Sequence, residues 1–376
     1  MTTDAETRPN DVVIIGGSQA GLAVGYHLKQ RGLRFLILDA APEIGQVWRS
    51  RWDSLTLFTP AQYSGLPGMD FPAEKDTYPS RDDVAAYLTS YASAFDLPVK
   101  GNARITSLSK TDGGYLVATA DEELRAREVV IATGPFQVPF VPAVASGLDE
   151  TVSQIHSADY RDPGHLPEGR VLVVGGGNSG FQIAEELAAT RKVDLAVGKK
   201  LKSLPQRLLG RDLFWWLSLT RFMKLNVDSK LGRRMAQRDV LIGSSERRLR
   251  RSGVTIRKRL VEAVGRRAVF EDGSDLNIDV VVWATGYRPD YTWIDIPEVK
   301  DDSGHIVHRR GVTPSPGLVF VGLTWQHTRG SALLGFVKED AAFIAESIER
   351  RREKDGAGST PEPGAGILST TSTRSR

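Results

Sequence analysis

The feature that most limits the fold of this chain is a repeat of two glycine-rich turns, each between an apolar run and a helical pattern. The first turn, residues 16–21, follows the run Val12–Ile15, and the second turn, residues 175–180, follows a similar run. Each copy later closes in Ala-Thr-Gly, at Gly134 and at Gly286, which lie 113 and 106 residues after the last glycine of their turns. Two units of similar span predict an α/β fold with two dinucleotide-binding (Rossmann-like) domains, the second inserted into the first.

The same patterns predict the domain boundaries. They are a flexible N-terminus at residues 1–10, a first domain at residues 11–160 and 286–352, a second domain at residues 168–285, and a disordered tail at residues 353–376. The tail is rich in Gly, Ser, Thr and Pro, which is typical of disorder. Within the first domain, Ser80 with Asp83 three residues later predicts the start of a helix that runs to about Phe95.

The second domain carries an insertion at about residues 201–252. Its aromatic segment Leu213–Leu217 is predicted to be helical. Three interpretations stay open for this segment: it lines a substrate entrance, it touches a membrane surface, or it packs on its own domain.

The first turn is interpreted as a cradle for the pyrophosphate of a dinucleotide. The N–H groups at a helix N-terminus lack internal partners, and the helix dipole makes that end positive. Asp39 ends the next strand, eighteen residues after Gly21, where an acid that binds ribose is expected. Because Ser18 replaces the middle glycine, a βαβ unit without a ligand is the alternative. The candidate residues are Gly16, Gly17, Ser18, Gln19, Ala20, Gly21 and Asp39.

The second turn has all three glycines of the fingerprint, and its next strand ends without an acid. Lys199 and Lys200 stand there instead, and a cation suits the 2′-phosphate of NADPH where an acid would suit a free ribose hydroxyl. The alternative is a pair of exposed lysines. The candidate residues are Gly175, Gly177, Asn178, Ser179, Gly180, Lys199 and Lys200.

Three further segments supply candidate cofactor contacts. The loop at residues 42–52 suits a stretch of chain that lies against a flat ring, and the alternative is an aromatic cluster between domains. The two Thr-Gly ends lie at the closing strand of each unit. The candidates are Gln46, Trp48, Arg49, Thr133, Gly134, Thr285 and Gly286.

Composition excludes several classes of function. The chain has no cysteine, which removes disulfides, thiolate metal sites and catalytic thiols, and no metal site is predicted. A net charge of +3 is too small to indicate a nucleic-acid partner, so the arginine runs near residues 247–259 are interpreted as solvated faces. No apolar run has the length of a membrane span, and the N-terminus lacks the apolar core of a signal peptide. Cytoplasmic residence without stable membrane insertion is therefore expected.

Residues 10–350 resemble the flavin-containing monooxygenase superfamily, the class B flavoprotein monooxygenases. The resemblance rests on the two glycine turns, residues 45–52, Ala284-Thr285-Gly286-Tyr287 and residues 330–335. The run from Leu57 to Pro67, followed by Phe71-Pro72, is most similar to the YUCCA-type branch. In the signature FxGxxxHxxx(Y/W), His156 and Tyr160 match, whereas Glu150 and Val152 stand at the Phe and Gly positions.

The resemblance implies that the first domain binds FAD and the second binds NADPH. It also implies hydride transfer to FAD and addition of O₂ to give a C4a-(hydro)peroxyflavin, which oxygenates a nitrogen, sulfur or carbonyl centre of a small organic substrate. This chemistry needs no protein nucleophile or base, so no catalytic residue is assigned. His156 is interpreted as a residue that sets linker geometry, with an acid–base role as the alternative, and Arg329 is a candidate contact of flavin or NADP⁺.

Three functions are compatible with the two modules: an NADPH- and FAD-dependent monooxygenase, a reductase that passes flavin electrons to a partner protein, and a nucleotide sensor without turnover. The first is favoured by residues 45–72 and 324–335. The expected partners are a small-molecule substrate and O₂. The oligomeric state stays open, with a homodimer as one alternative.

Overall fold

The structure is a computed structural model that describes residues 10–199, 201–220, 222–236 and 240–357, and its description of side chains ends at residue 354. The first elements are β1 (Asn10–Ile15), α1 (Gln19–Gln30), β2 (Phe35–Leu38), α2 (Gln46–Arg49), α3 (Arg81–Ala94), β3 (Val99–Lys100), β4 (Ile105–Thr111), β5 (Gly114–Thr119) and β6 (Glu123–Ile131). Next come β7 (Val138–Pro139), β8 (Ser153–His156), β9 (Val171–Val174), α4 (Asn178–Leu187), β10 (Val193–Ala196), β11 (Lys202–Leu204), β12 (Arg207–Leu208), β13 (Arg211–Asp212), α5 (Leu213–Leu219), α6 (Lys230–Ala236), β14 (Val240–Ile242) and α7 (Glu246–Arg251). The last are β15 (Thr255–Arg257), β16 (Leu260–Val264), β17 (Arg267–Phe270), β18 (Asp275–Asn277), β19 (Val280–Trp283), β20 (Tyr287–Arg288), β21 (Ile294–Asp295), β22 (Leu318–Phe320) and α8 (Lys338–Ala357).

Two parallel sheets form the centre of the molecule, and their strands correspond one to one. The first has the parallel order β3-β2-β1-β6-β22, and the second has β15-β10-β9-β19-β8. Each unit adds a three-stranded antiparallel meander, β4-β5-β6 in the first and β16-β17-β18 in the second. The repeat that the sequence shows is therefore also a repeat of architecture.

The apolar runs at the start of each unit form the central strands because both faces of these sheets are covered. Val12 and Ile14 of β1 lie in the core beneath α1, α3 and α8, whereas Val13 and Ile15 lie in the core on the meander side. In β9 the alternate residues divide between two cores in the same way. The first residues after β1 and β9 are thereby fixed at the carboxyl edge of a rigid sheet.

The chain crosses between the two units at two places that lie side by side. The outgoing segment contains β7 and the returning segment contains β20, and these two strands pair in antiparallel fashion. The N–H of Phe140 donates to the carbonyl oxygen of Gly286 at 2.9 Å, and the Thr285 hydroxyl donates to the carbonyl oxygen of Phe140. We call this paired segment the crossover ribbon.

The structure corrects the expected boundaries at three places. Residues 153–156 were assigned to the first domain, but they form β8, which pairs with β19 in the second sheet. Residues 353–357 were assigned to the tail, but α8 continues to Ala357. Asn10 was assigned to the N-terminal segment, but it begins β1. Residues 1–9 and 358–376 lie outside the described residues.

Candidate nucleotide-binding sites

The first glycine turn, residues 16–21, brings three parts of the chain into close backbone contact. A Cβ on Gly16 would lie 2.6 Å from the carbonyl oxygen of Ala132, and Gly16 has a φ of +112°. A Cβ on Gly21 would lie 1.9 Å from the carbonyl oxygen of Gly16. The outer glycines are therefore required for the turn to fit between β1, β6 and α1, as the fingerprint predicts.

The helix that follows this turn begins without a side-chain cap. Ser18 is the N-cap of α1, and its hydroxyl donates to Oε1 of Gln19 at 2.5 Å instead of accepting from the helix backbone. The backbone at Ser18 is extended, with a φ of −92°, so this position does not require glycine. The first N–H groups of α1, including that of Ala20, keep their capacity to bind an anion.

Asp39 lies directly after β2, and backbone N–H groups hold its carboxylate beside the turn. Its Oδ2 accepts from the N–H of Gly17 at 2.5 Å, and its Oδ1 accepts from the N–H of Ala41 at 2.7 Å. This geometry places an acid beside the turn, where the sequence predicted one for a ribose.

The loop at residues 42–52 reaches both units. Nε1 of Trp48 donates to Oε1 of Gln19 at 3.4 Å, so Trp48 and half-buried Gln46 lie on α2 close to the start of α1. Trp52 is buried in a mostly aliphatic core of the second unit. The guanidinium of Arg49 donates to the carbonyl oxygen of Ile44 at 2.9 Å, so that side chain is held by its own loop.

The remaining candidates of the first unit lie at the same sheet edge. Thr133 and Gly134 follow β6, and Nε2 of Gln137 donates to the Thr133 hydroxyl at 3.0 Å and to the Gly134 carbonyl at 2.8 Å. Gly322 follows β22, and a Cβ there would lie 2.9 Å from the Cβ of Ala20. Farther along, the guanidinium of Arg329 lies 5.9 Å from the ring centroid of Trp325.

The second turn repeats the geometry of the first. A Cβ on Gly175 would lie 2.1 Å from the carbonyl oxygen of Ala284, and a Cβ on Gly180 would lie 2.1 Å from that of Gly175. Gly177 is the N-cap of α4, and apart from its two chain neighbours no described residue has an atom within 4 Å of a Cβ placed on it. Space is therefore open above the N-terminus of α4, which carries Asn178 and Ser179.

The end of β10 is basic on its surface. Lys199 is exposed, Lys200 lies outside the described residues, and Nη2 of Arg259 donates to the carbonyl oxygen of Gly198 at 3.3 Å. The acid of β10 itself, Asp194, is buried and is held by two guanidinium groups at 2.7 and 2.8 Å, so it does not reach the strand end.

A cavity of about 700 Å³ lies beside this strand end, between α4, the segment after β10, and α7. Arg247, Arg250 and Arg251 line one wall of it. These arginines, predicted from the sequence to form a solvated face, thus lie beside the second turn. Their i, i+3, i+4 spacing on one helix was the available signal.

His156 and Tyr287 join the crossover ribbon to β8. Nδ1 of His156 accepts from the N–H of Ala158 at 3.0 Å, so we assign the proton to Nε2, which donates to the carbonyl oxygen of Gly286 at 3.1 Å. Burial lowers the pKa of His156 and favours the neutral ring. Its ring packs edge-on against Tyr287, whose hydroxyl accepts from Arg51. The bond of His156 thus holds Gly286 to β8 of the second unit, whereas the bond of Arg51 holds Tyr287 to the first unit.

The insertion of the second unit docks on the first unit. Leu213 and Phe214 of α5 are buried in a small core that includes Phe58, Tyr63 and Phe336 of the first unit. The aromatic segment is helical, as predicted, and its inner face packs across the two units.

A buried carboxylate fixes the start of α5. Asp212 accepts from the hydroxyl of Tyr78 at 2.7 Å, from Nε2 of Gln206 at 2.9 Å and from the N–H of Phe214 at 2.7 Å. Because Tyr78 belongs to the first unit and Asp212 to the second, this contact connects them.

Within the described residues, no group of three or more His, Cys, Asp or Glu side chains is arranged to hold a metal ion. Within the same residues, no helix has the length and apolar character needed to cross a bilayer.

Comparisons with known proteins match almost the whole chain. Residues 13–207 match the family model described as pyridine nucleotide-disulphide oxidoreductase, and residues 192–344 match the model described as flavin-binding monooxygenase-like. An uncharacterized CzcO-like oxidoreductase of Geobacillus kaustophilus is 44% identical over 90% of this chain and 98% of that protein. A probable indole-3-pyruvate monooxygenase of Arabidopsis thaliana, YUCCA1, is 28% identical over 93% of this chain and 92% of that protein. The solved structure of a flavin-containing monooxygenase from Stenotrophomonas maltophilia is 28% identical, with a TM-score of 0.77 over 92% of this chain and all of that one.

Proposed function

This chain belongs to the flavin-containing monooxygenase superfamily, as its motifs predicted, and from that membership we propose that it uses NADPH and FAD to oxygenate a small organic substrate. The enzyme class, a flavin-dependent monooxygenase, follows from the family. Beyond this class, we propose NADPH as the electron donor, one domain for each cofactor, and a nitrogen, sulfur or carbonyl centre of the substrate as the site of oxygenation.

The observation that carries the proposal is the duplicated cradle. In both units a glycine of positive φ faces an alanine carbonyl, and the helix after it begins without a side-chain cap. Two cradles of this kind suit two dinucleotides. The turn at residues 16–21 with Asp39 suits FAD, since a carboxylate pairs with a free ribose hydroxyl.

The charge around the second turn favours NADPH over NADH. No free carboxylate ends β10, while Lys199 follows it and three arginines of α7 line the adjacent cavity. A phosphate monoester is bound well by guanidinium groups, because their N–H pairs match its oxygens. A ribose without that phosphate would offer these guanidinium groups no charged acceptor.

Other residues of the chain would shape the site between the cradles. A flavin bound in the first unit would accept a hydride from NADPH and activate O₂ for transfer of one oxygen atom. Trp48 and Gln46 lie where they can contact a cofactor that starts at α1. Phe58, Phe214 and Phe336 pack together where the two units meet, and this apolar cluster would help to keep water from a site between the cradles. Arg329, in the segment between β22 and α8, is proposed as a further cofactor contact.

The proposal is tested with the purified yellow protein in an oxygen electrode. We expect NADPH oxidation with O₂ uptake, and product that contains one atom from ¹⁸O₂ when an accepted amine, sulfide, ketone or 2-oxo acid is added. If NADPH is oxidised but electrons leave only to a partner protein, with no labelled product from any of these substrates, the reductase hypothesis replaces this one. Cytoplasmic residence stays a prediction, and a homodimer stays one alternative for the oligomeric state.

A further inference from the structure

Five apolar residues of the insertion form one surface patch, which we call the Leu-Trp patch. It consists of Leu208, Leu209, Trp215, Trp216 and Leu219. Leu208, Leu209 and Leu219 are 47, 82 and 62% exposed. Nε1 of Trp216 donates to the carbonyl oxygen of Leu208 at 2.9 Å, which joins the β12–β13 hairpin to α5. Leu219 lies four residues after Trp215 and three residues after Trp216, so it is a neighbour of both on the helix surface.

The tip of the hairpin keeps a leucine where the backbone disfavours one. Leu209 and Gly210 form the two-residue turn between β12 and β13, and their φ values are +50° and +76°. Turns with two positive φ values strongly prefer Asn, Asp or Gly at the first position. An apolar side chain that is 82% exposed at a strained turn position stabilises neither the turn nor a core. Its role is therefore outside the folded chain itself.

Charge in this part of the chain is strongly one-sided. Residues 201–252 contain 13 Lys and Arg but only 4 Asp and Glu, a net charge of +9. Because the whole chain carries +3, the other residues together carry −6. Arg207 and Arg211 belong to the hairpin of the patch, and the Arg211 guanidinium lies 5.5 Å from the ring centroid of Trp215. An anionic partner would therefore complement the charge of this part of the chain.

We propose that the Leu-Trp patch docks this protein reversibly on the surface of an anionic lipid bilayer. Leucines at the tip would enter the edge of the acyl region, tryptophans would lie at headgroup level, and arginines would pair with lipid phosphates. A nucleic acid fits less well, because Trp215 and Trp216 pack edge-on against each other, with centroids 4.7 Å apart, and leave no parallel rings for base stacking. The inner face of α5 is already covered by the first unit, which orients the patch outwards.

The test is sedimentation of the flavin-loaded protein with vesicles, with the yellow colour of the pellet as readout. Vesicles of phosphatidylcholine with phosphatidylserine should carry the protein down, and vesicles of phosphatidylcholine alone should not. Raised salt should release it, since the attraction is partly electrostatic.

Two variants and a matched control separate docking from folding. Leu209→Asn should lower the pelleted fraction at least about five-fold while the melting temperature is unchanged or higher, because Asn suits the turn. Leu219→Ser should also lower it. Val264→Ser removes a side chain that is 61% exposed on β16 and should leave the pelleted fraction unchanged.

Three results would overturn the proposal. The wild-type protein does not sediment with the anionic vesicles, or Leu209→Asn sediments as well as the wild type. Alternatively, the protein is a dimer in solution that Leu209→Asn dissociates, which would assign the patch to a second copy of the chain.

Discussion

Gly16 and Gly175 each face the carbonyl oxygen of the alanine that opens an Ala-Thr-Gly motif, Ala132 and Ala284. These contacts explain why the glycine turns and the Ala-Thr-Gly ends occur together in both copies. They also show that replacing either glycine would disturb the sheet edge itself, because even a Cβ lies within 2.6 Å of backbone. Ser18 and Gly177 hold the equivalent N-cap positions, and neither has a positive φ. They are the better places to probe binding.

Exchanging these two N-cap residues for valine should separate the two cofactors. Gly177→Val points a side chain into open space above α4, so we expect normal flavin content but a KM for NADPH raised at least about tenfold, or about 1.4 kcal/mol. Ser18→Val is its counterpart and should lower flavin retention at an unchanged fold. Flavin absorbance of the purified proteins and steady-state kinetics measure both effects. Wild-type NADPH kinetics in Gly177→Val would argue against the second site.

His156 should make stability depend on pH in a defined direction. Burial lowers its pKa below the ordinary 6.5, so as the pH falls below about 6.5 the unfolded chain binds a proton that the folded chain resists. The contribution of His156 is therefore complete above that pH and decreases in acid. We expect the melting temperature of wild type to exceed that of His156→Gln at pH 7.5, and the gap to narrow towards pH 5.5. His27, His308 and His327 are common to both proteins and cancel. A gap that widens in acid would mean that His156 is charged in the fold.

The arginines of helix α7 lie in different surroundings. Arg247, Arg250 and Arg251 share the face that lines the cavity, whereas Arg248 points elsewhere and its Nε lies 2.6 Å from Oε1 of Glu185. The run looks uniform in the sequence, and only the position of the helix beside β10 distinguishes its faces. Arg257 differs from the solvated interpretation too, because it holds the buried carboxylate of Asp194.

Neutral substitutions on α7 should change cofactor preference on one face only. Arg247→Gln with Arg250→Gln should lower kcat/KM for NADPH by about tenfold or more and leave that for NADH nearly unchanged, since each charge-assisted hydrogen bond contributes about 1.5–3 kcal/mol. Arg248→Gln, on the same helix, is the control and should change neither value. Equal losses for the two cofactors, or the same effect in Arg248→Gln, would contradict this role.

The start of α5 should control how the insertion is held. Asp212→Ala removes the N-cap of α5 and the acceptor of the Tyr78 hydroxyl, at a cost of about 1 kcal/mol for the cap alone. We expect faster limited proteolysis within residues 201–220 at an unchanged flavin content. Tyr78→Phe removes only the contact between units and should have part of the effect. Protease resistance equal to wild type would show that the apolar core around Phe214 is sufficient.

Features that depend on residues within one turn of helix were predicted correctly, whereas features that depend on tertiary packing were not. Ser80 caps α3 in a capping box with Asp83, as predicted, because both partners lie within one turn of helix. The end of α8 was predicted too early because residues 353–357 are polar, yet the helix continues past the buried Ile348. The sequence pattern places β8 in the wrong unit, because the residues of a short strand do not indicate which sheet the strand will join.

At the scale of the whole molecule, the absence of cysteine limits how electrons can leave the flavin. Residues 13–207 match a family model described by disulphide chemistry, but the chain holds no thiol that could form or break a disulfide. We expect iodoacetamide to leave the rate of NADPH oxidation unchanged within error. A cysteine-containing flavoprotein disulfide reductase, treated in parallel, is the control and should lose activity. Inhibition of this protein would point to a modified residue other than cysteine at the site.

The two-unit architecture could be predicted because the same motifs occur twice in the sequence, from Gly16 to Gly134 and from Gly175 to Gly286. The cavity at α7 and the contact of Tyr78 with Asp212 could not be predicted, because each joins residues more than forty positions apart through packing of the insertion.

The crossover ribbon brings the two ends of the second unit together. Because the strands that enter and leave the second unit are hydrogen-bonded neighbours, that unit has both of its ends at a single point, as an independently folding domain with adjacent termini does. We therefore expect residues 138–288 to be exchangeable between relatives as one segment. The recipient would also have to keep Trp52, Phe58 and Tyr78, because these residues of the first unit pack against or bond to the second.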